Sequence, residues 1–216
     1  MKKSHLAILI VFLVLLLDQG SKIWVKTHML LGQEHIITSW FRIHFTENPG
    51  MAFGMVLPGI YGKLVLSAFR VVAVSLIIYY IRLSIRENAH RGFIAALSLI
   101  LAGAIGNILD GAFYGLVFTD SFYHIANFTP IGHGYTGFMK GYVVDMFWFP
   151  LWEGFLPASI PVFGGKYFMF FEPVFNVADA AITGGVLVIL FFSWLFFKEK
   201  PIATTEATTP EEPQNI

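Results

Sequence analysis

Four runs of nearly unbroken apolar residues, at 6–25, 64–81, 92–109 and 180–197, punctuate this chain. Each reaches the roughly 18 to 20 residues that a helix needs to cross about 30 Å of hydrocarbon at about 1.5 Å per residue. They predict four membrane-spanning helices. Lys2 and Lys3 precede the first run as in a secretory leader, but no small-x-small cleavage site follows, so the run reads as an uncleaved span. Between the first two spans, Glu34-His-Ile-Ile-Thr38 and Phe41-Arg-Ile-His-Phe45 carry short strand signals, the second alternating apolar and polar residues around Ile43. They predict a small hairpin or sheet. The connection from 110 to 179 is rich in Gly, Phe, Tyr and Pro over 113–141 and again over 150–173, with no long helical period. It predicts irregular, partly re-entrant structure at the membrane interface, where aromatic side chains are favoured.

Composition agrees with a membrane protein: 56% of the 216 residues are hydrophobic, 13% are charged and 23 are Phe, with a mean hydropathy of +0.68. Such a chain lacks the polar surface of a water-soluble globule. Its net charge of zero leaves no basic stripe for nucleic acid. The absence of cysteine removes disulfides, thiolate catalysis and thiolate metal sites. With four spans, Lys2, Lys3, Arg82, Arg86, Arg91, Lys198 and Lys200 fall on one side, which puts both termini in the cytoplasm and the two long connections on the outer face. The expected fold class is therefore an all-α integral membrane protein, four transmembrane helices with a small β-sheet and irregular loops on the outer, extracytoplasmic face. One membrane-embedded domain occupies residues 1–200, and the tail at 201–216 has too little apolar surface to fold, giving a disordered cytoplasmic end.

The chemistry is carried by four acids in or beside apolar stretches, Asp18, Asp110, Asp145 and Asp179. A carboxylate at the centre of a span costs roughly 2.5 to 3.5 kcal/mol, so each requires a reason. On this topology all four gather near the outer boundary, Asp110 ending the third span after roughly 27 Å of rise and Asp179 opening the fourth. Asp18 and Lys22 stand at i and i+4, acid first, the order that suits a helical ion pair, and Lys26 continues that face. Asn107 and Asp110, and again Asn176 and Asp179, stand at i and i+3, where an amide can hold a neighbouring carboxylate in one rotamer. A single pair of this kind also serves merely as a polar helix end; two at one depth point to function. Asp179 lies in a first helical turn, where the macrodipole favours the anion. Asp145 lies among Val143, Val144, Met146, Phe147 and Trp148, where desolvation raises a carboxyl pKa. Environments that separate two carboxylates in this way produce acid and base roles, and predict a two-aspartate dyad whose microscopic proton assignment stays open.

Other signals are weaker. The seven histidines include no HExxH and no ligand pair at helical spacing. Ser21 and Lys22, as helical neighbours, point to different faces and make a poor serine–lysine dyad. Arg70, inside the second span, is expected to pair with an acid of another span. Glu47-Asn-Pro-Gly50-Met-Ala-Phe-Gly54 predicts a tight turn able to present the Asn48 amide and backbone groups to an extended peptide. Two other classes use intramembrane polar residues, a channel or proton-linked transporter and a non-catalytic assembly factor. A relay crosses the whole bilayer, whereas these acids occupy one side.

Five segments in order, Leu17-Asp-Gln-Gly-Ser-Lys22, Asn48-Pro-Gly-Met-Ala-Phe-Gly54, Gly106-Asn-Ile-Leu-Asp110, Val143-Val-Asp145 and Phe175-Asn-Val-Ala-Asp-Ala180, resemble the lipoprotein signal peptidases, also called signal peptidase II, which are bacterial membrane aspartyl peptidases. The resemblance implies that Asp145 and Asp179 are the catalytic pair. It implies that Asp18, Lys22, Asn48, Gly50, Gly106, Asn107, Asp110 and Asn176 shape the site or contact substrate and peptide-like inhibitors of the globomycin type. It further implies a diacylated prolipoprotein substrate cleaved on the amino side of the lipid-bearing cysteine, a location in the bacterial cytoplasmic (inner) membrane, surrounding membrane lipid as a partner, and no metal or organic cofactor. Many relatives carry Arg after the Gly-Asn-x-x-Asp segment, where this chain has Gly111, and the stretch 116–140 is longer than usual.

Overall fold

A computed structural model describes residues 1–49 and 59–197. Four long helices form its body: α1 (Lys3–His28), α2 (Gly59–Arg86), α3 (Arg91–Leu109) and α5 (Val177–Phe196), the last two separated by a sheet-bearing connection. All four are long and apolar enough to cross a membrane. The first three bracket their expected spans, and α5 covers all of the fourth except its last residue, Phe197. The third differs in where it stops, because Asp110 does not end it: the helix runs on through a π-helical turn, Asp110–Tyr114, into a short α4, Gly115–Val117. A π-turn inserts one residue into the helical ladder and re-aims the side chains that follow, a device common at functional sites.

The first expected strands are present as β1 (Glu34–Thr38) and β2 (Phe41–Asn48). They join β3 (Val143–Trp148) and the short β6 (Val174–Phe175) in one antiparallel sheet of order β1-β2-β3-β6. β3 is almost wholly buried, which explains why its sequence, VVDMFW, shows no clean alternation. The region 150–173, expected to be irregular, instead contains a separate hairpin of β4 (Trp152–Phe155) and β5 (Tyr167–Phe170). Its partners include Trp152 opposite Phe170 and Phe155 opposite Tyr167. Aromatic cross-strand pairs stabilise such a ladder without the one-faced burial that makes a strand visible as period two.

Two apolar clusters sit at opposite ends of the bundle. Ala7, Ile81, Phe93, Ile94, Leu97 and Leu101 pack where α1 and α3 begin and α2 ends. Val25, Met29, Phe45, Tyr114, Phe118, Val144 and Met146 join the far ends of α1 and α3 to the sheet. The polar site lies beside this second cluster. Close helix approach is set by small residues: a Cβ added at Gly103 would lie 2.1 Å from the Ala178 carbonyl oxygen. Only a glycine permits α3 and α5 to touch there.

Candidate active site

The site begins with a buried charge cell between α1, α3 and α5. Lys22 Nζ lies 2.9 Å from Asp18 Oδ2, one turn earlier, and 2.7 Å from Asp110 Oδ2 across the helix interface. It also donates to Asn107 Oδ1 at 3.0 Å. Three acceptors match the three N–H bonds of an ammonium. Asp18, Lys22 and Asp110 are fully buried, so the attraction between them offsets a desolvation that none would sustain alone. Gln19 Nε2 donates to both Asp18 Oδ2 at 3.0 Å and Asp110 Oδ1 at 2.8 Å, while its Oε1 accepts from Tyr114 at 3.2 Å. Asp18 Oδ1 accepts the Ala178 N–H at 2.9 Å. That bond places a carboxylate on the first turn of α5, where helix amides lack intrahelical partners and the dipole favours an anion. Gly106 makes the crossing possible, since a Cβ there would come within 2.5 Å of Asp18 Oδ2.

The second layer holds Asp145 and Asp179. Asn176 caps α5 by accepting the Asp179 N–H at 2.9 Å. Its Nδ2 then donates to Asp145 Oδ1 at 2.6 Å and lies 3.3 Å from Asn107 Oδ1. Asn107 Nδ2 donates to Asp179 Oδ1 at 2.8 Å. Neither side-chain amide donates to the acid its i,i+3 spacing offers: Asn107 holds Asp179 of α5, not Asp110, and Asn176 holds Asp145 of β3 while its oxygen caps the Asp179 N–H. Packing accounts for this, because α5 crosses α3 beside Asn107, and β6, which pairs with β3, leads directly into Asn176.

Asp145 and Asp179 both line a cleft of about 990 Å³, together with Asn48, Arg70, Asn107 and Asn-adjacent strand residues of β6. The cleft continues along α5 past Ala180, Thr183 and Gly184 to Leu187. Burial and the neighbouring Asp179 charge push the Asp145 carboxyl up to about 7, against hydrogen bonds from Asn176 and Asn48 that favour its anion. Arg70, half-buried on α2, contributes a positive charge felt by Asp179 and Asp110. At the position after Asp110, a Cβ added to Gly111 would meet nothing within 4 Å.

The sequence-predicted residues Asp18, Lys22, Gly106, Asn107, Asp110 and Asn176 meet in one network, and Asn48 reaches Asp145 from β2. Gly50 lies outside the described residues. Gln19, Tyr114, Glu47 and Ser121 join the site without a local sequence signal that assigns them a role there. Gln19 and Tyr114 sit in the buried cell already described, and Lys26 forms an ion pair with Glu47 and donates to Ser121 at 2.9 Å. A second buried lysine one turn beyond Lys22 was the available signal, because it demands its own counterion.

With this geometry in view, the similarities to known proteins become specific. The profile of the family described as Signal peptidase (SPase) II matches residues 10–196. A lipoprotein signal peptidase of Porphyromonas gingivalis is 51% identical over 182 residues, covering 84% of this chain and 79% of that protein. One from Amoebophilus asiaticus is 37% identical over 203 residues, covering 92% and 81%. A solved bacterial membrane enzyme, obtained by the in meso method at 1.9 Å resolution, superimposes with a TM-score of 0.56 at 21% identity, covering 90% of this chain and 94% of the other. That likeness bears on the fold alone. The profile match over nearly the whole membrane body and the two close relatives establish that this chain belongs to the signal peptidase II family of membrane proteases.

Proposed function

We propose that this protein removes signal peptides from diacylglyceryl-modified prolipoproteins, cutting on the amino side of the lipid-bearing cysteine, with Asp145 and Asp179 as the catalytic pair. One observation carries the reading: two carboxylates from distant segments line one cleft, each held by an amide that does not neutralise it. An amide orients a carboxylate yet leaves it able to exchange a proton. Asp18 and Asp110, by contrast, are bound to Lys22 and serve the architecture.

In the proposed reaction one aspartate takes a proton from water as the oxygen attacks the scissile carbonyl. The other gives its proton to the carbonyl oxygen; when the tetrahedral intermediate collapses, a hydroxyl proton returns to that aspartate and the first passes the proton it took from water to the departing amide nitrogen. The pair titrates as a unit. Burial and the neighbouring Asp179 charge favour the neutral form of Asp145. The cleft's extension along α5 to Leu187 suits a substrate whose acyl chains stay in lipid while the peptide reaches the acids.

In this reading both termini are cytoplasmic and the sheet lies at the outer face of the bacterial inner membrane. The basic residues Lys3, Arg86 and Arg91 support it, since they share the end of the bundle opposite the sheet, where Lys3 bonds Asn88 and Arg91 bonds the Met1 carbonyl. The exposed aromatic hairpin, with Trp152, Phe155, Tyr167 and Phe170 all solvent-accessible, suits an interfacial position. The test is cleavage of a diacylated prolipoprotein by detergent-purified protein. Wild type is expected to cut it and Asp145→Asn and Asp179→Asn to be folded and inactive. An uncut precursor with wild type, or normal cleavage by either variant, overturns the assignment.

A further inference from the structure

Lys26 is a fully buried cation that the proposed chemistry does not use. It stands one turn beyond Lys22 on the same face of α1, and like charges at this spacing repel. The two ammonium groups are separated by being given different counterions: Lys22 has Asp18 and Asp110, and Lys26 has Glu47, whose side chain is 7% exposed. Ser121, fully buried in the connection after α4, completes the cell. Its hydroxyl accepts from Lys26 Nζ and donates to Glu47 Oε1, each at 2.9 Å. The rings of Tyr135 and Phe118 lie over the ammonium at 5.0 and 5.6 Å, a favourable placement for a desolvated cation.

The cell touches the strands that carry Asn48 and Asp145. Glu47 precedes Asn48 on β2, and successive strand residues point to opposite faces. Holding Glu47 against α1 therefore turns Asn48 towards Asp145, to which it hydrogen-bonds. The ladder agrees with this alignment, pairing Thr46 with Asp145, Glu47 with Val144 and Asn48 with Val143, but it is only three pairs long on this side of the register shift between Ile43 and Thr46, so the Glu47 anchor adds to a short run. On the other strand, the Tyr135 hydroxyl accepts the Tyr142 N–H at 2.7 Å and its ring stacks on Tyr142. Tyr142 leads directly into β3 and Asp145.

We propose that Lys26, Glu47 and Ser121 form a positioning device that fixes Asn48 against Asp145, and that the long 118–135 stretch serves to seal it. The extended connection then acts on the chemistry by ordering two strands and not by touching substrate. This inference rests on the assignment of Asp145 as catalytic.

The experiment is steady-state cleavage of a diacylated prolipoprotein by purified Lys26→Met/Glu47→Gln, which keeps the cell neutral, by Ser121→Ala and Ser121→Thr, and by Asn48→Ala alone and combined with each. The neutral double variant is expected to lose about 10- to 100-fold in kcat with KM nearly unchanged, since misplacement of a reacting group acts on the chemical step. Ser121→Ala is expected to lose severalfold and Ser121→Thr to recover most of it. Combined with Asn48→Ala, neither the double variant nor Ser121→Ala should lose more than Asn48→Ala alone, and the inflection of the kcat–pH profile of the aspartate pair should move to higher pH in every variant except Ser121→Thr. Unchanged kcat in folded Lys26→Met/Glu47→Gln, or losses that multiply with Asn48→Ala, overturn the proposal. If the double variant does not fold, Ser121→Ala decides by the same two criteria. Asp145→Asn, run alongside, separates the two claims: its normal turnover sinks the catalytic assignment, whereas its inactivity with a wild-type-like Ser121→Ala sinks only the positioning device.

Discussion

Asn176 joins the end of α5 to both acids, so replacing it separates structural from chemical effects. Its Oδ1 caps Asp179 N–H, its Nδ2 donates to Asp145 Oδ1 at 2.6 Å, and it is fully buried. Asn176→Ala removes both bonds. Loss of the cap costs about 1 kcal/mol, and loss of a buried donor to a carboxylate costs about 1.5 to 3 kcal/mol, so a total of roughly 2.5 to 4 kcal/mol is expected. Asn176→Ser can still cap a helix but is too short to serve Asp145, and it should be less destabilising by about the cap contribution. In both variants Asp145 loses a partner that favours its anion. Its carboxyl, already pushed up to about 7, should titrate higher by roughly one pH unit for a bond of about 1.4 kcal/mol. Thermal unfolding in detergent measures the first effect, and the pH dependence of kcat measures the second. The reasoning is refuted if Asn176→Ser retains both wild-type turnover and the wild-type inflection, or if it is as unstable as Asn176→Ala.

Three further outcomes are expected. Because folding raises the Asp145 pKa from 3.8 to about 7, its ionisation opposes folding: the penalty is absent below about pH 3.8, grows as pH rises, and is complete above pH 7. Asp145→Asn should therefore unfold at a higher temperature than wild type at pH 8, by an effect on the order of 4 kcal/mol, with the advantage disappearing at low pH; equal stability at both pH values contradicts this. Lys22→Met leaves Asp18 and Asp110 buried without their cation and should cost about 3 to 5 kcal/mol in thermal unfolding, so an unchanged midpoint would count against the charge cell. Gly106→Ala, which drives a Cβ to 2.5 Å from Asp18 Oδ2, should destabilise by about 1 to 3 kcal/mol, whereas Gly111→Ala, meeting nothing within 4 Å, should stay within about 0.5 kcal/mol of wild type; paired melting curves compare them directly.

Much of the architecture is legible in the chain because it depends on neighbours in sequence. Hydrophobic run length alone marks the four helices, and the alternation around Ile43 marks β2. The Asp18–Lys22 contact follows from helical periodicity. So does the cap of α5, since Asn176 stands three residues before Asp179 and bonds its amide. These features are decided within a turn or two, before any distant segment arrives.

What the chain does not disclose are the partners set by packing. Spacing alone pairs Asn107 with Asp110 and Asn176 with Asp179, yet the crossing of α3 and α5 gives Asn107 to Asp179, and the pairing of β6 with β3 gives Asn176 to Asp145. Asp110, at the start of the π-turn that carries the third helix onward, meets Lys22 and Gln19 on another helix. Glu47 and Ser121 have no distinguishing local pattern, and only the buried charge of Lys26 draws them together. A buried carboxylate or ammonium must find its complement wherever the fold brings it within reach. Local periodicity therefore determined which helices form and which residues they could offer, while tertiary contact decided which polar groups face one another, because that choice depends on helix separation and desolvation that no sequence interval encodes.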